Sequence, residues 1–107
     1  MREYFFLLMA IAFEVVGTMF LPLSQGFTKL VPSTLIVISY IISLYLLTIA
    51  LESLPLPVVY SSWAGLGIFS IAVMSYIFYG EALNWQSILG LFLIVIGVVI
   101  VNYCRVA

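Results

Sequence analysis

Four long apolar stretches follow one another along the chain, separated by short segments that contain the prolines. A transmembrane helix needs about 20 apolar residues, within a range of roughly 17–25. The pattern therefore predicts an all-α membrane protein with four transmembrane helices, at approximately 4–21, 33–51, 58–79 and 87–103. Each connection is shorter than about a dozen residues, too short to fold independently. Residues 1–107 are thus expected to form a single transmembrane domain.

The connections contain residues that are typical of helix ends. Pro22 can end or kink the first helix, because proline lacks the N–H of the helical hydrogen bond. Pro32 fits the first turn of the second helix, where that N–H is not needed. The residues before Pro55 and Pro57 are steered away from helical geometry, which favours a tight connection. Gly80 is positioned to cap the third helix.

The composition agrees with a membrane protein and excludes several other classes. Hydrophobic residues make up 66% of the chain and charged residues 7%, and the mean hydropathy is +1.37, far from the values of soluble domains. A net charge of -1 offers no basic surface for nucleic acid. One cysteine and no histidine make the usual zinc sites unattainable, so we expect no metal and no cofactor.

Glu14 is the one charged residue in the interior of an apolar stretch. Ten uncharged residues, from Tyr4, precede it and nine, to Leu23, follow it. A charge near the bilayer centre costs roughly 3 kcal/mol on insertion scales, so an intramembrane carboxylate indicates function. The alternative is a protonated or hydrogen-bonded carboxyl group held between packed helices.

Small and polar residues surround Glu14 on its helix. Residues three, four and seven apart share a helix face, which places Ala10 and Gly17 one turn on either side of the carboxylate. Thr18 offers a hydroxyl group four residues further on. The small residues are consistent either with a cavity or with close helix packing, and the pattern leaves both open.

The third helix presents a second converging face. Tyr60 and Trp63 share it with Gly67. Aromatic rings attract cations within about 6 Å, so these two beside Glu14 would suit a bulky apolar cation, although aromatic residues at helical spacing more often serve packing. Gly65 and Gly67 lie in mid-span, where glycine permits a bend or a close approach.

The fourth helix lacks a carboxylate, and its two glycines predict a contact with another chain. Gly90 and Gly97 lie two turns apart on it, and small residues are enriched where transmembrane helices pack closely. Four helices with one carboxylate are too few to enclose a substrate, so we expect a dimer that contains two Glu14 side chains.

The charged residues near the helix ends specify orientation only weakly. With four spans, Arg2 and Arg105 lie on one side of the membrane and Lys29 on the other. The positive-inside rule therefore compares two cations with one, and insertion in both orientations is an allowed outcome.

Four sequence blocks together resemble the small multidrug resistance family of bacterial exporters. The blocks are EVVGT at 14–18, SQGFTKLVPS at 24–33, YSSWAGLG at 60–67 and GLFLIVIG at 90–97, and the similarity runs essentially end to end. It implies a four-helix subunit that works as an antiparallel dimer in the bacterial plasma (inner) membrane. It also implies exchange of protons for cationic compounds, without covalent chemistry, so we do not expect an enzyme.

The resemblance also assigns roles by motif position. Glu14 would bind both the proton and the substrate, Gly65 and Gly67 would form the hinge, and Gly90 and Gly97 the dimer contact. The resemblance places Tyr60 and Trp63 in an aromatic wall around the substrate. We expect Tyr40, Thr18 and Ser62 to belong to the same wall.

Specific positions refine the expected substrate. Gly17 stands where guanidinium exporters of this family typically have tryptophan, which favours the quaternary-ammonium and multidrug branch. Three sites depart from that branch: Pro22 replaces a common lysine, Pro57 a common glycine, and Ser61-Ser62 the apolar residues before the tryptophan. The two prolines bear on the geometry of the loops, and the two serines on the range of substrates.

The sequence thus predicts a proton-coupled antiporter for hydrophobic or quaternary-ammonium cations. Its expected partners are a second copy of itself or a homologous subunit, small organic cations, protons and the lipid bilayer. One alternative is a narrower exporter of guanidinium-like or polyamine cations, working either as a homodimer or as a heterodimer. A second alternative is a membrane accessory subunit that does not transport.

Overall fold

The computed structural model describes residues 2–104, and every regular element in that range is a helix. Arg105, which enters the predicted charge bias, lies outside the described residues. The helices are α1 (Arg2–Met19), α2 (Leu21–Ser24), α3 (Leu30–Ala50), α4 (Leu56–Tyr79) and α5 (Trp85–Tyr103).

The prediction of four membrane spans is confirmed. Four helical segments in the described range are long and apolar enough to cross a membrane, by length and composition: Arg2–Ser24, Leu30–Ala50, Leu56–Tyr79 and Trp85–Tyr103. Each predicted bound lies within three residues of the observed one. The protein is therefore an all-helical membrane protein.

All four spans begin two or three residues earlier than predicted, and a side-chain cap accounts for the early start of α5. Lys29 is the cap of α3, so Pro32 occupies the first turn as expected, but at its third position. Asn84 caps α5, where its Oδ1 accepts the Ser87 N–H at 2.9 Å. Asparagine is among the best N-cap residues because its oxygen satisfies a backbone donor that the helix leaves unpaired.

The chain divides into two compact units, one ending at Ser53 and the other beginning at Leu54. In the first unit, α1 and α3 pack antiparallel: Ala10 lies beside Ser43, and Gly17 beside Tyr40. The first span is interrupted at Phe20, whose N–H donates to the Gly17 carbonyl at 3.1 Å.

The interruption before α2 has a clear backbone cause. Pro22 cannot donate an N–H to the carbonyl four residues earlier, so the regular α1 pattern ends at Met19 and restarts as the short α2. Pro22 itself lies in the first turn of α2, where proline is tolerated. The expected break is confirmed, displaced by less than one turn.

In the second unit, α4 and α5 form an antiparallel hairpin. Ser62 contacts Asn102 and Phe69 contacts Phe92, so residue numbers rise along one helix as they fall along the other. Gly80 ends α4 with a φ of 67°, and its N–H donates to the Tyr76 carbonyl at 3.1 Å. A positive φ at this position favours glycine, which confirms the predicted cap. That the two units form one transmembrane domain stays a prediction.

Candidate functional site

The Glu14 carboxylate belongs to a chain of three hydrogen-bonded side chains. Thr18 Oγ1 donates to Glu14 Oε1 at 3.1 Å, and the Tyr40 hydroxyl lies 2.7 Å from the same Thr18 oxygen. A threonine hydroxyl has one proton to give. When Glu14 is ionised it can only accept, so Thr18 gives its proton to Glu14 and the Tyr40 hydroxyl donates to Thr18.

Two features of the sequence bring these three groups together: the helix period and the absence of a side chain at Gly17. Glu14 and Thr18 are four residues apart on α1 and therefore neighbours on its surface. Tyr40 reaches them from α3 across Gly17. A Cβ atom at Gly17 would lie 2.7 Å from Tyr40 Cε1 and 3.2 Å from Ser39 Cβ, so only glycine admits the ring there. Close packing is confirmed at Gly17, and a cavity beside Glu14 stays a prediction.

No basic side chain neutralises Glu14 among residues 2–104. Their two cationic residues are Arg2, at the first position of α1, and Lys29, at the cap of α3. The Arg2 guanidinium carbon lies 5.4 Å from the centroid of the Phe6 ring. At 1.5 Å rise per residue, Arg2 is about 18 Å along the helix from Glu14. The half-buried carboxylate therefore has one hydroxyl partner, Thr18, and no charge partner among the described residues.

The remaining wall residues lie on α4, in the other unit. The Tyr60 side chain is 74% exposed and Trp63 is half-buried. Ser62 is only 5% exposed, and its Oγ accepts a hydrogen bond from Asn102 Nδ2 at 3.0 Å. That these α4 residues share one site with Glu14, Thr18 and Tyr40 stays a prediction.

The two glycines of the proposed hinge differ in their surroundings. A Cβ atom at Gly65 would lie 2.5 Å from Val98 Cγ2, so this glycine lets α5 approach α4 closely. At Gly67 the nearest atom would be Trp63 Cδ1 at 3.9 Å, an ordinary contact. Because α4 is helical without interruption from Leu56 to Tyr79, the hinge stays a prediction, whereas Gly65 has a packing role.

Gly90 and Gly97 lie on a face of α5 without close neighbours in the described part of the chain. No atom there approaches within 4 Å of a Cβ built at either position. Val98 and Asn102, which do touch α4, lie on a different side of α5. This geometry leaves the glycine face free for a second chain, and the dimer contact stays a prediction.

Sequence reasoning missed two polar residues that join helices. Ser43 Oγ donates to the Ala10 carbonyl at 2.7 Å, between α3 and α1, and Asn102 bonds both Ser62 and the Val98 carbonyl. Serine and asparagine within apolar spans are enriched at helix contacts, and that rule could have identified both. Among residues 2–104, no group of three His, Cys, Asp or Glu side chains could hold a metal ion.

Comparison with known proteins identifies one family. The family profile described as "Small Multidrug Resistance protein" matches residues 2–94. The quaternary ammonium compound-resistance protein QacF of Klebsiella aerogenes is 42% identical over 95% of this chain and 93% of its own length. The quaternary ammonium compound-resistance protein QacE of Escherichia coli is 41% identical over 95% of this chain and 93% of its own length. The multidrug resistance protein EbrA of Bacillus atrophaeus is 38% identical over 94% of this chain and 95% of its own length.

Proposed function

Since the chain belongs to the small multidrug resistance family, we propose that it exports hydrophobic or quaternary-ammonium cations from the cytoplasm in exchange for protons. The observation that carries the proposal is the Glu14 carboxylate in the middle of the first span, without a basic neighbour among the described residues. A charge at that depth is costly unless it is compensated. A bound proton or a cationic substrate can each compensate it, and each excludes the other.

The neighbouring hydroxyl groups would serve both states of the site. With Glu14 ionised, Thr18 donates to it and Tyr40 supports Thr18, which holds the carboxylate in one orientation for a cation. With Glu14 protonated, the hydroxyl groups can rotate and accept, since each is both donor and acceptor. Exposure of the site to alternate sides of the membrane would then exchange one cation for the other.

Gly17 supports quaternary-ammonium or multidrug substrates over guanidinium-like ones. The resemblance places tryptophan at this position in guanidinium exporters. In this chain even one added carbon would lie 2.7 Å from the Tyr40 ring, so an indole there would displace Tyr40. The relatives support the same branch, because QacF and QacE are quaternary ammonium compound-resistance proteins.

The working unit in this proposal is an antiparallel dimer joined through α5. Within the described residues α5 contributes no buried side chain, and its glycine face has no close neighbour. A second copy packed there would bring a second Glu14 into the assembly. Inverted orientation of the two copies would give two nearly equivalent states that face opposite compartments, so alternation needs little net free energy.

Export by reconstituted protein tests the role of Glu14. In proteoliposomes with an inward proton gradient, Glu14→Gln should abolish cation transport, because the amide keeps the shape and cannot exchange a charge. The control is Glu52→Gln, the same change at an exposed residue between α3 and α4, which should transport normally. Wild-type transport by Glu14→Gln would refute the mechanism. An accessory subunit would release no protons when the wild-type protein is mixed with a quaternary cation, whereas the proposed exporter does.

Orientation control tests the antiparallel dimer. Two lysines added beside Arg105 should force one orientation and reduce transport when that variant is expressed alone. A copy with two lysines added beside Lys29 should partly restore it. If labelling places every C-terminus of the wild-type protein on one side while transport is full, the antiparallel homodimer is wrong and the Glu14 exchange still stands.

A further inference from the structure

A cavity that is open at the surface, with most of its lining residues exposed, lies wholly within the α4–α5 unit. Its volume is about 470 Å³, and its walls come from the C-terminal half of α4, the connection at 80–84 and the N-terminal half of α5. None of the residues assigned to the Glu14 site lines it. The volume is within the roughly 300–1,000 Å³ of typical small-molecule sites.

The cavity is apolar at one end and carries a carboxylate at the other. Glu81 lies two residues beyond the end of α4. Phe69 is ten residues before that end, which at 1.5 Å per residue is about 15 Å deeper along the helix. There its ring packs edge-to-face on Phe92 of α5, with the ring centroids 6.0 Å apart. Tyr76 lies between the two levels, and the other lining residues are aliphatic.

This arrangement selects for charge as well as for shape. Glu81 is the one charged residue among the lining residues, and neither Arg2 nor Lys29 is among them. The rings of Phe69, Tyr76 and Phe92 attract cations through their π faces. An anion of the same shape would meet the carboxylate with like charge, and a neutral ligand would gain nothing from it.

The geometry points to a second binding site for an amphipathic organic cation, with its apolar body against the aromatic rings and its charged group toward Glu81. Glu81 lies two residues beyond the end of a membrane-spanning helix, so the charge would remain near the membrane surface while the body enters the hydrocarbon. The site would hold a cation at the end of the span, before or after the cation binds at Glu14. The inference rests on the lining of the cavity and not on exchange at Glu14.

Binding to protein that lacks the first site tests this inference. Glu14→Gln protein in phosphatidylcholine nanodiscs is dialysed against tetraphenylphosphonium, and the uptake of empty nanodiscs is subtracted. Saturable binding of one cation per chain is expected. Adding Glu81→Gln should weaken it about fivefold, the upper range for a solvent-accessible charge pair. Adding Glu52→Gln, the same charge change on another connection, should leave the affinity unchanged. Tetraphenylborate, of similar shape and opposite charge, should show no saturable binding.

Two further variants locate the bound cation in the cavity. Phe92→Leu should weaken binding about fivefold through the lost aromatic face. Ala72→Phe, which adds a ring to the cavity wall, should abolish saturable binding, and circular dichroism checks that the variant keeps its helices. Non-saturable uptake in Glu14→Gln protein, equal losses with Glu81→Gln and Glu52→Gln, or full binding by Ala72→Phe would each overturn the inference. Failure of proton exchange by the wild-type protein would not alter these binding results, so the two proposals fail separately.

Discussion

The two helix pairs hold their polar groups differently. Between α1 and α3, hydrogen bonds join the helices at two levels, at Tyr40 with Thr18 and at Ser43 with the Ala10 carbonyl. Between α4 and α5, Asn102 bonds Ser62, yet α5 contributes no buried side chain within the described residues. The first pair is closed around the ionisable group, whereas the second leaves one helix largely uncovered. If Glu14 exchanges protons and α5 forms the dimer contact, as we propose, these two roles belong to different halves of the chain.

Glycines show the same contrast. Gly17 is buried and faces the Tyr40 ring at a distance that excludes any side chain. Gly97 is exposed, and nothing in the described residues lies within 4 Å of an added Cβ. Gly17, like Gly65 between α4 and α5, therefore maintains a close contact between helices, whereas Gly97 leaves a surface free of neighbours among the described residues.

The largest expected effect is that of Gly17→Leu. Overpacking against Tyr40 should cost about 1–3 kcal/mol of stability and separate the ring from Thr18. Resistance of helical structure to SDS should fall, and transport should fall with it. Gly97→Leu is the matched variant: it should keep the stability of the monomer and lower the dimer content in mild detergent. If both variants lose stability equally, the contrast between the two halves is wrong.

The next effect is on cation binding at the aromatic residues of α4. Trp63→Ala should weaken binding of bulky aromatic cations by about 1–2 kcal/mol, through lost cation–π attraction and apolar contact. Binding of guanidinium, which is small, should weaken less. Isothermal titration of both ligands measures the difference. Equal losses would show that Trp63 serves packing.

A smaller effect is expected from the Tyr40 hydroxyl group. Tyr40→Phe keeps the ring against Gly17 and removes the donor to Thr18, so it should cost about 1 kcal/mol, as for one hydrogen bond. We expect the loss in cation affinity, measured by titration, while resistance to SDS stays near the wild-type value. Phe27→Tyr, at an exposed residue between α2 and α3, is the control for a change in the number of hydroxyl groups. An unchanged affinity in Tyr40→Phe would remove this tyrosine from the site.

The smallest effect concerns the serine pair. Ser62→Ala removes the acceptor for Asn102, but the Asn102 amide keeps its bond to the Val98 carbonyl, so the cost should be at most about 1 kcal/mol. Ser61→Ala is the control, because within residues 2–104 the bond of Ser61 Oγ is to its own helix, at the Val58 carbonyl 3.2 Å away. A changed preference among cations in Ser62→Ala alone would show that the α4–α5 contact influences the substrate wall. Equal preferences in both variants would make Ser62 a structural residue.

Local rules predicted the helices well and their ends less well. Gly80 capped α4 as expected, because glycine adopts the positive φ of a helix end whatever surrounds it. The start of α5 was missed by two residues, since the bond from Ser87 N–H to Asn84 competes with the apolar pattern that the prediction followed. The first span broke at Phe20 and not at Pro22, because proline disturbs the hydrogen bonding of the turn before it.

The sequence by itself determined that this is a membrane protein with four spans and one carboxylate deep within a span, since hydrophobic length and a costly charge are properties of the chain alone. It also carried the family blocks. Only the tertiary structure decided what surrounds that carboxylate. The spacing of small residues around Glu14 fits both a cavity and close packing, and Tyr40 settles the choice at Gly17 from 23 positions away in the chain. Contacts between helices depend on which faces meet, and the period of one helix does not contain that information.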